Sequence, residues 1–206
     1  MTESKYPPQR HLEDNADKLY RVIERFPFST VISVQEDQPF VSHIPLILDR
    51  TRGHRGVLFG HVDKYNPHVN LLEGRRAVLA IFHGPNTYIT PHIYETNQLP
   101  TWNSIVVQVR GRVCRMNNKD DLIRGLVGIC EYADREPGAY RLSPQDPRID
   151  TLIDFIVGFE IEIEDIIGRF KLSQDRQPVD REKAKEELIR RTLQGERELI
   201  EAVCRE

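Results

Sequence analysis

The run Phe159-Glu160-Ile161-Glu162-Ile163-Glu164 alternates apolar and acidic residues without a break. A period of two sends successive side chains to opposite faces of a sheet, so this segment reads as a strand with one buried apolar face and one wet acidic face. It belongs to a series. Phe28–Val34 and Phe40–Leu48 are strand-like runs joined by the polar Gln35-Glu36-Asp37-Gln38-Pro39, which suits a hairpin. In the first of them Phe28, Thr30, Ile32 and Val34 share a face, and Ser29 and Ser33 lie on the other. Val57–Val62 predicts a further strand and Ala77–Phe82 a buried one. Gly84-Pro85 then reads as punctuation before a short strand at Thr87–Thr90. Ser104–Met116 is β-like again, with Val107, Val109 and Val113 inward and Gly111 as a bulge or a close approach. Short strands joined mostly by tight turns favour an antiparallel barrel over an alternating α/β sheet.

Helical spacing appears around this β frame. Leu19, Val22, Ile23 and Phe26 form one stripe over Asn15–Phe26, with Asp14 or Asn15 to cap it and Pro27 to stop it. Lys119–Glu131 and Ile149–Ile156 predict a helical insert. Ile189, Leu193, Ile200 and Val203 place a charged helix over Arg181–Glu206. The expected class is mainly β with helices (α+β). A barrel domain would cover residues 1–176, with the insert at about 118–156, and a C-terminal helical extension would cover 177–206.

Composition narrows the function classes. The chain of 206 residues is 39% hydrophobic and 30% charged, which predicts a charged periphery around a modest core. Its net charge of -3 provides no global attraction to nucleic acid or anionic membrane, so DNA binding would need a local basic patch. No apolar run approaches the roughly 18 residues of a membrane span, and the polar segment Met1–Asp14 does not resemble a secretory signal. Cys114, Cys130 and Cys204 are odd in number and widely spaced, which speaks against a disulfide framework or a zinc site and for a reducing cytoplasm. GxGxxG, P-loop, HExxH, paired CxxC and nucleophile-elbow motifs are absent from the sequence.

Five polar clusters interrupt the apolar strands, and each has two readings. Ser42 and His43 lie in a strand that Pro45 marks as an edge or bulged, either as satisfied core groups or as ligand contacts. His61, Lys64 and Asn66 lie where a strand ends before a turn opening a short helix. That arrangement suits a phosphate, and equally a solvated lysine in a capped turn. Phe82, Gly84 and Tyr88 surround a Gly-Pro step, as a flat-ring wall or as a core turn. The single tryptophan, Trp102, stands beside Asn103 before a long strand, at a ligand or in a core or interface. Lys171, Ser173, Gln174 and Arg176 gather donors just past a strand, as a pocket edge or as a charged turn.

Taken in order, these blocks resemble the PaiB-like, FMN-binding negative transcriptional regulators. The resemblance runs from Tyr6 to Arg176. It rests on Phe28-Ser29-Thr30, Phe40-Val41-Ser42-His43-Ile44-Pro45-Leu46, Gly60-His61-Val62 with Asn66-Pro67, and Phe82-His83-Gly84-Pro85 with Tyr88-Ile89. It continues through Pro100-Thr101-Trp102-Asn103, Val157-Gly158-Phe159-Glu160-Ile161, and Lys171-Leu172-Ser173-Gln174 with Arg176. His92 and the loop Thr96-Asn97-Gln98-Leu99 depart from the family pattern.

That family is similar to the pyridoxamine phosphate oxidase-like split barrels, so the resemblance implies an antiparallel split β-barrel and a homodimer with FMN at the subunit interface. Carried over, Ser42 and His43 would lie beside the flavin, with His61, Lys64 and Asn66 near the ribityl phosphate. Phe82, Gly84 and Tyr88 would line the ring, with Trp102 and Asn103 close to it. Lys171, Ser173, Gln174 and Arg176 would complete the pocket. The implied function is a flavin-holding regulator that lowers gene expression. The alternative is an FMN-dependent oxidoreductase acting on a small molecule, in which the flavin supplies redox chemistry and His43 and His61 are acid–base candidates by type. A haem-handling barrel with a histidine ligand ranks below both.

Overall fold

The structure, a computed structural model, describes residues 7–193. In chain order its elements are β1 Leu12–Glu13, α1 Ala16–Arg25, β2 Phe28–Gln35, β3 Gln38–Pro45, β4 Ile47–Asp49 and β5 Val57–Asp63. There follow β6 Ala77–Ile89, β7 Thr101–Arg115, α2 Lys119–Ala133, α3 Pro147–Leu152, β8 Ile156–Lys171 and α4 Pro178–Leu193. The sheet runs in the order β3-β2-β6-β7-β8-β5-β4, with β1 added on β8. The β2–β3, β2–β6, β4–β5 and β5–β8 pairs are antiparallel. The fold is an antiparallel split β-barrel with peripheral helices, as the strand pattern and the resemblance imply.

Two compact units can be distinguished. One comprises Asp14–His83 and Val107–Ile167; the other comprises the segment up to Glu13, Gly84–Val106 and the chain from Gly168 on. The boundaries fall within β6, β7 and β8.

In the first unit α1 starts where Asn15 accepts the Lys18 N–H, and it buries Leu19 and Ile23 as its stripe predicts. β8 buries Phe159, Ile161 and Ile163. Its other face is a ladder of ion pairs. Glu160 holds Arg52 at 2.5 and 2.7 Å, Glu162 holds Arg75 at 2.8 Å and Glu164 holds Arg112 at 3.0 Å. Gly111 is a close approach, because a Cβ there would run into the carbonyl oxygen of Glu162. The helical insert contributes Leu122, Ile149 and Ile153, which pack with Phe59 into a satellite core.

Several boundaries differ from the sequence expectation. Phe40–Leu48 divides at Leu46 into β3 and β4, and β7 begins at Thr101, so Trp102 and Asn103 lie inside the strand they were expected to precede. β6 passes straight through Gly84-Pro85, where punctuation between two strands was expected. Gly84 packs closely on the next strand: a Cβ there would stand 3.1 Å from Ile105 Cγ2, a tight contact. The predicted helix to Ile156 ends at Leu152, a 3-10 turn covers Ile153–Phe155, and Ile156 already belongs to β8. α4 starts at Pro178, ahead of Arg181, because proline is tolerated in a first turn. The predicted continuation through Ile200 and Val203 lies outside the described residues, as does Cys204.

Candidate functional site

The β2–β3 hairpin sets the first unit's polar geometry. Residues opposite one another in an antiparallel pair share a face, and the register pairs Ser29 with Ile44, Val31 with Ser42 and Ser33 with Phe40. This is the inward face: Ser29, Val31, Ser33, Ser42 and Ile44 are all buried. Phe28, Thr30, Ile32 and Val34 point the other way with Pro45, His43, Val41 and Pro39. Hence three serines go in beside Val31 and Ile44, while Phe28, Val34 and Val41 stay out. Phe28, Val34 and Val41 are 64%, 60% and 51% exposed. β3 ends the sheet order, so Pro39 and Pro45 occupy an edge strand, where a missing N–H costs least.

Each inward serine has a partner. Ser29 Oγ donates to the Ile44 carbonyl at 2.8 Å. Ser33 and Ser42 meet at His68, which is fully buried. The His68 Nδ1–Ser42 Oγ distance is 2.9 Å and the Nε2–Ser33 Oγ distance is 2.8 Å. Asn66 Nδ2 also donates to Ser42 Oγ at 3.1 Å, while Asn66 Oδ1 accepts the His68 N–H at 3.0 Å. A neutral imidazole has one donor and one acceptor nitrogen, so one serine donates to the ring and the other accepts from it. Burial holds the His68 pKa below the usual histidine value.

On the outer face Thr30 Oγ1 lies 3.2 Å from His43 Nδ1 and 3.4 Å from His83 Nε2. Around the corner, His43, His61, Asp63 and Asn66 line a concavity of about 350 Å³. His61 Nδ1 is buried there without a hydrogen-bond partner, and burial lowers the His61 pKa. The Lys64 ammonium lies 4.2 Å from the Phe155 ring centroid. The expected short helix is a 3-10 turn, Pro67–Leu71, whose first N–H groups are taken locally by Asn66: its Oδ1 accepts from His68 N at 3.0 Å and its carbonyl from Val69 N at 3.0 Å. Phe82 is fully buried and points into the core. Thus Ser42 and Asn66 come together through His68, His43 and His61 border one concavity, and Lys64 stands on aromatic rings.

In the second unit Gly84 packs on Ile105. Tyr88 and Trp102 face each other with centroids 6.4 Å apart, and Trp102 Nε1 donates to Asn86 Oδ1 at 3.2 Å. Asn103 and Ser173 are both buried and exchange hydrogen bonds: Asn103 Nδ2 donates to Ser173 Oγ at 3.0 Å and Ser173 Oγ donates to Asn103 Oδ1 at 3.1 Å. Ser173 holds φ at +61°, unusual for a residue with a side chain. Lys171 Nζ donates to Thr101 Oγ1 at 2.5 Å, and Gln174 Oε1 accepts the Leu172 N–H at 2.7 Å. The Arg176 guanidinium donates to Gln98 and lies 6.0 Å from the Tyr94 ring centroid. The loop containing Thr96 is tied to α4 by Asp180, a buried carboxylate that accepts the Glu95 N–H at 2.7 Å.

Ser33, His68 and Asp180 were missed in the sequence. For His68 a signal exists, since Asn-Pro two and one residues ahead of it is a cap-and-turn pattern. Asp180 looks like any first-turn acid, and its partners are more than 80 residues away in the chain. Among the described residues no three His, Cys, Asp or Glu side chains cluster to hold a metal ion. No helix among them is long and apolar enough to cross a membrane.

The split barrel with its histidine-bordered concavity defines a class of protein, and solved structures share the fold. The FAD and heme binding protein from Mycobacterium smegmatis superposes with a TM-score of 0.59 at 11% identity, covering 78% of this chain and 73% of that one. The conserved hypothetical protein Rv2991 from Mycobacterium tuberculosis gives 0.58 at 15% identity, covering 84% and 94%. The family described as "Putative FMN-binding domain" matches residues 5–165. The chain is also 31% identical over 179 residues to the protease synthase and sporulation protein PAI 2 of Bacillus subtilis (strain 168), covering 85% of this chain and 84% of that one. The chain belongs to this PaiB-like family of FMN-binding split-barrel proteins, and FMN is its cofactor.

Proposed function

We propose that the protein is a homodimeric FMN-binding regulatory protein of the cytoplasm that acts through its flavin rather than through a DNA-reading face. The observation that carries this reading is the apolar outer face of β2 and β3. A sheet that exposes Phe28, Val34 and Val41 while burying serines is arranged for cover by a second copy. The residues fit the cofactor. His61 Nδ1 is a buried nitrogen in need of a partner, and its concavity also presents His43 and Asn66. Lys64, which makes no ion pair among the described residues, is a cation for the phosphate.

In this reading His43, His61, Lys64 and Asn66 hold the cofactor, and Ser42, buried on the inward face, fixes Asn66 from behind together with His68. Tyr88, Trp102, Lys171, Ser173 and Arg176 are retained as contacts by resemblance, with Phe82 and Gly84 as supports, whereas Asn103 and Gln174 line the cavity beside α4. FMN, when bound, supplies one- or two-electron redox chemistry. The regulatory part draws on the relation to the sporulation protein. Direct DNA reading has little support. Arg75, Arg110 and Arg112 are each neutralised by a carboxylate, and the net charge is -3.

A second reading, an FMN-dependent oxidoreductase, is favoured by a cavity of about 540 Å³ beside α4, which is the size of a small-molecule site. Light scattering with and without FMN tests the proposal. A dimer with one FMN per chain is expected, and a colourless monomer that ignores FMN would refute it. Reduction of the bound flavin by NAD(P)H at a useful rate would favour the oxidoreductase over the regulator.

A further inference from the structure

The cavity beside α4 is walled by Pro85, Ile105, Leu172, Leu188 and Ile189, all within the second unit. Its volume of about 540 Å³ lies within the range of sites that enclose small organic ligands, and its walls are mainly apolar. Asn103, only 1% exposed, is part of its lining. A carboxamide offers two N–H donors and an oxygen with two lone pairs. Ser173 uses one N–H and one lone pair, so the Asn103 side chain retains one donor and one acceptor site that no other described residue takes. Both amide atoms are thus satisfied by Ser173, and the spare donor and acceptor sites are available to a ligand with a polar edge.

The rim supplies charge. Glu182 and Lys185 pair with each other at 2.5 Å and cancel. Arg181, one residue before Glu182, makes no ion pair among the described residues and lines the same cavity. The site therefore combines an apolar body, one amide at the wall and one net positive charge at the rim. A guanidinium is well suited to a carboxylate.

The geometry points to a second ligand site beside α4, one that takes a small aromatic carboxylate with its ring against Ile105 and Leu188, a polar edge toward Asn103 and its carboxylate at Arg181. This goes beyond FMN binding and does not depend on it. Asn103 then has a ligand of its own.

The probe is 2-naphthoate, titrated by calorimetry into the full chain, both FMN-free and FMN-saturated. One site per chain is expected in both forms. Arg181→Gln should weaken 2-naphthoate about tenfold and leave the neutral 2-naphthamide unchanged. Ile189→Glu, at a half-exposed position that tolerates the change, should also weaken 2-naphthoate by introducing a like charge. Affinity unmoved by both variants overturns the inference. Mole-for-mole displacement by FMN also overturns it, because the cavity would then belong to the flavin. If FMN does not bind while 2-naphthoate binds with the expected variant pattern, the cofactor reading falls and the second site stands.

Discussion

Replacing His68 with phenylalanine isolates the hydrogen bonds that organise the serine side of the β2–β3 hairpin. The phenyl ring is larger than the imidazole, so packing against Phe40, whose ring centroid is 5.9 Å away, is kept while the two hydroxyls must draw back slightly. What disappears are the bonds at 2.8 and 2.9 Å to Ser33 and Ser42. Their net contributions are about 1 kcal/mol each. The two serines then fare differently. Ser42 keeps the Asn66 amide at 3.1 Å, whereas no other side-chain partner of Ser33 is seen among the described residues. An orphaned buried hydroxyl costs roughly 1–3 kcal/mol, so the total is about 2–4 kcal/mol. At roughly 2–4 °C per kcal/mol for a chain of this size, a loss of ~3 kcal/mol lowers the Tm by about 6–12 °C. Urea unfolding of FMN-free protein at fixed concentration gives the free energy without the cofactor's own stabilisation. Adding Ser33→Ala to His68→Phe removes the orphan and should restore roughly 1–2 kcal/mol. A loss below about 0.5 kcal/mol for the single variant would refute the reasoning. So would a double variant less stable than the single.

Lys64→Ala should weaken FMN about tenfold and leave riboflavin binding unchanged, as equilibrium dialysis with each flavin would show. Phe28→Glu combined with Val41→Arg on the outer face should yield a folded monomer, visible by light scattering with unchanged far-ultraviolet dichroism. Gly111→Ala forces a Cβ against the Glu162 carbonyl and should cost about 1–3 kcal/mol in urea unfolding. Burial lowers the pKa values of His61 and His68 in the folded state. The unfolded chain therefore takes up these protons first, and stability should be full above pH ~6.5 and fall below it. Chemical denaturation at pH 7.5 and 5.5 checks this, and His68→Phe should reduce the difference.

Most of the strand frame was legible because its signal is local. The alternation in Phe159–Glu164 defines β8's two faces by itself, and Asn15 and Pro27 bracket α1 by chemistry that acts within a few residues. Errors arose where packing between distant segments decides. Gly84-Pro85 has the composition of a turn, yet it lies within β6, with the glycine packed closely on Ile105 from the next strand. The acidic face of β8 looked merely wet because Arg52, Arg75 and Arg112 arrive from elsewhere in the chain. The candidate site divides in the same way. Ser42 and Asn66 could be picked out by residue type and block order, whereas the cap-and-turn pattern before His68 marks a turn and not a partner of two serines. His68 reads as a surface residue following a proline until the hairpin register turns Ser33 and Ser42 toward it.

The hairpin's inverted polarity connects these observations. Alternation alone specifies that Ser29 and Ser33 oppose Phe28, Ile32 and Val34, but it does not specify which set is buried. Burying the apolar set would give the hydrophobic term more area to act on, so something must favour the serines. His68 provides part of that balance by satisfying two hydroxyls at once, and the Ile44 carbonyl satisfies the third. In the homodimer proposed above, the remaining part would come from covering Phe28, Val34 and Val41, which this chain leaves exposed on an edge hairpin. Such a second copy would complement what His68 does on the inward face. It also explains why His43 and Thr30 stand among apolar neighbours on the outer surface: in the covered state they would be the polar groups left to meet a ligand at the interface.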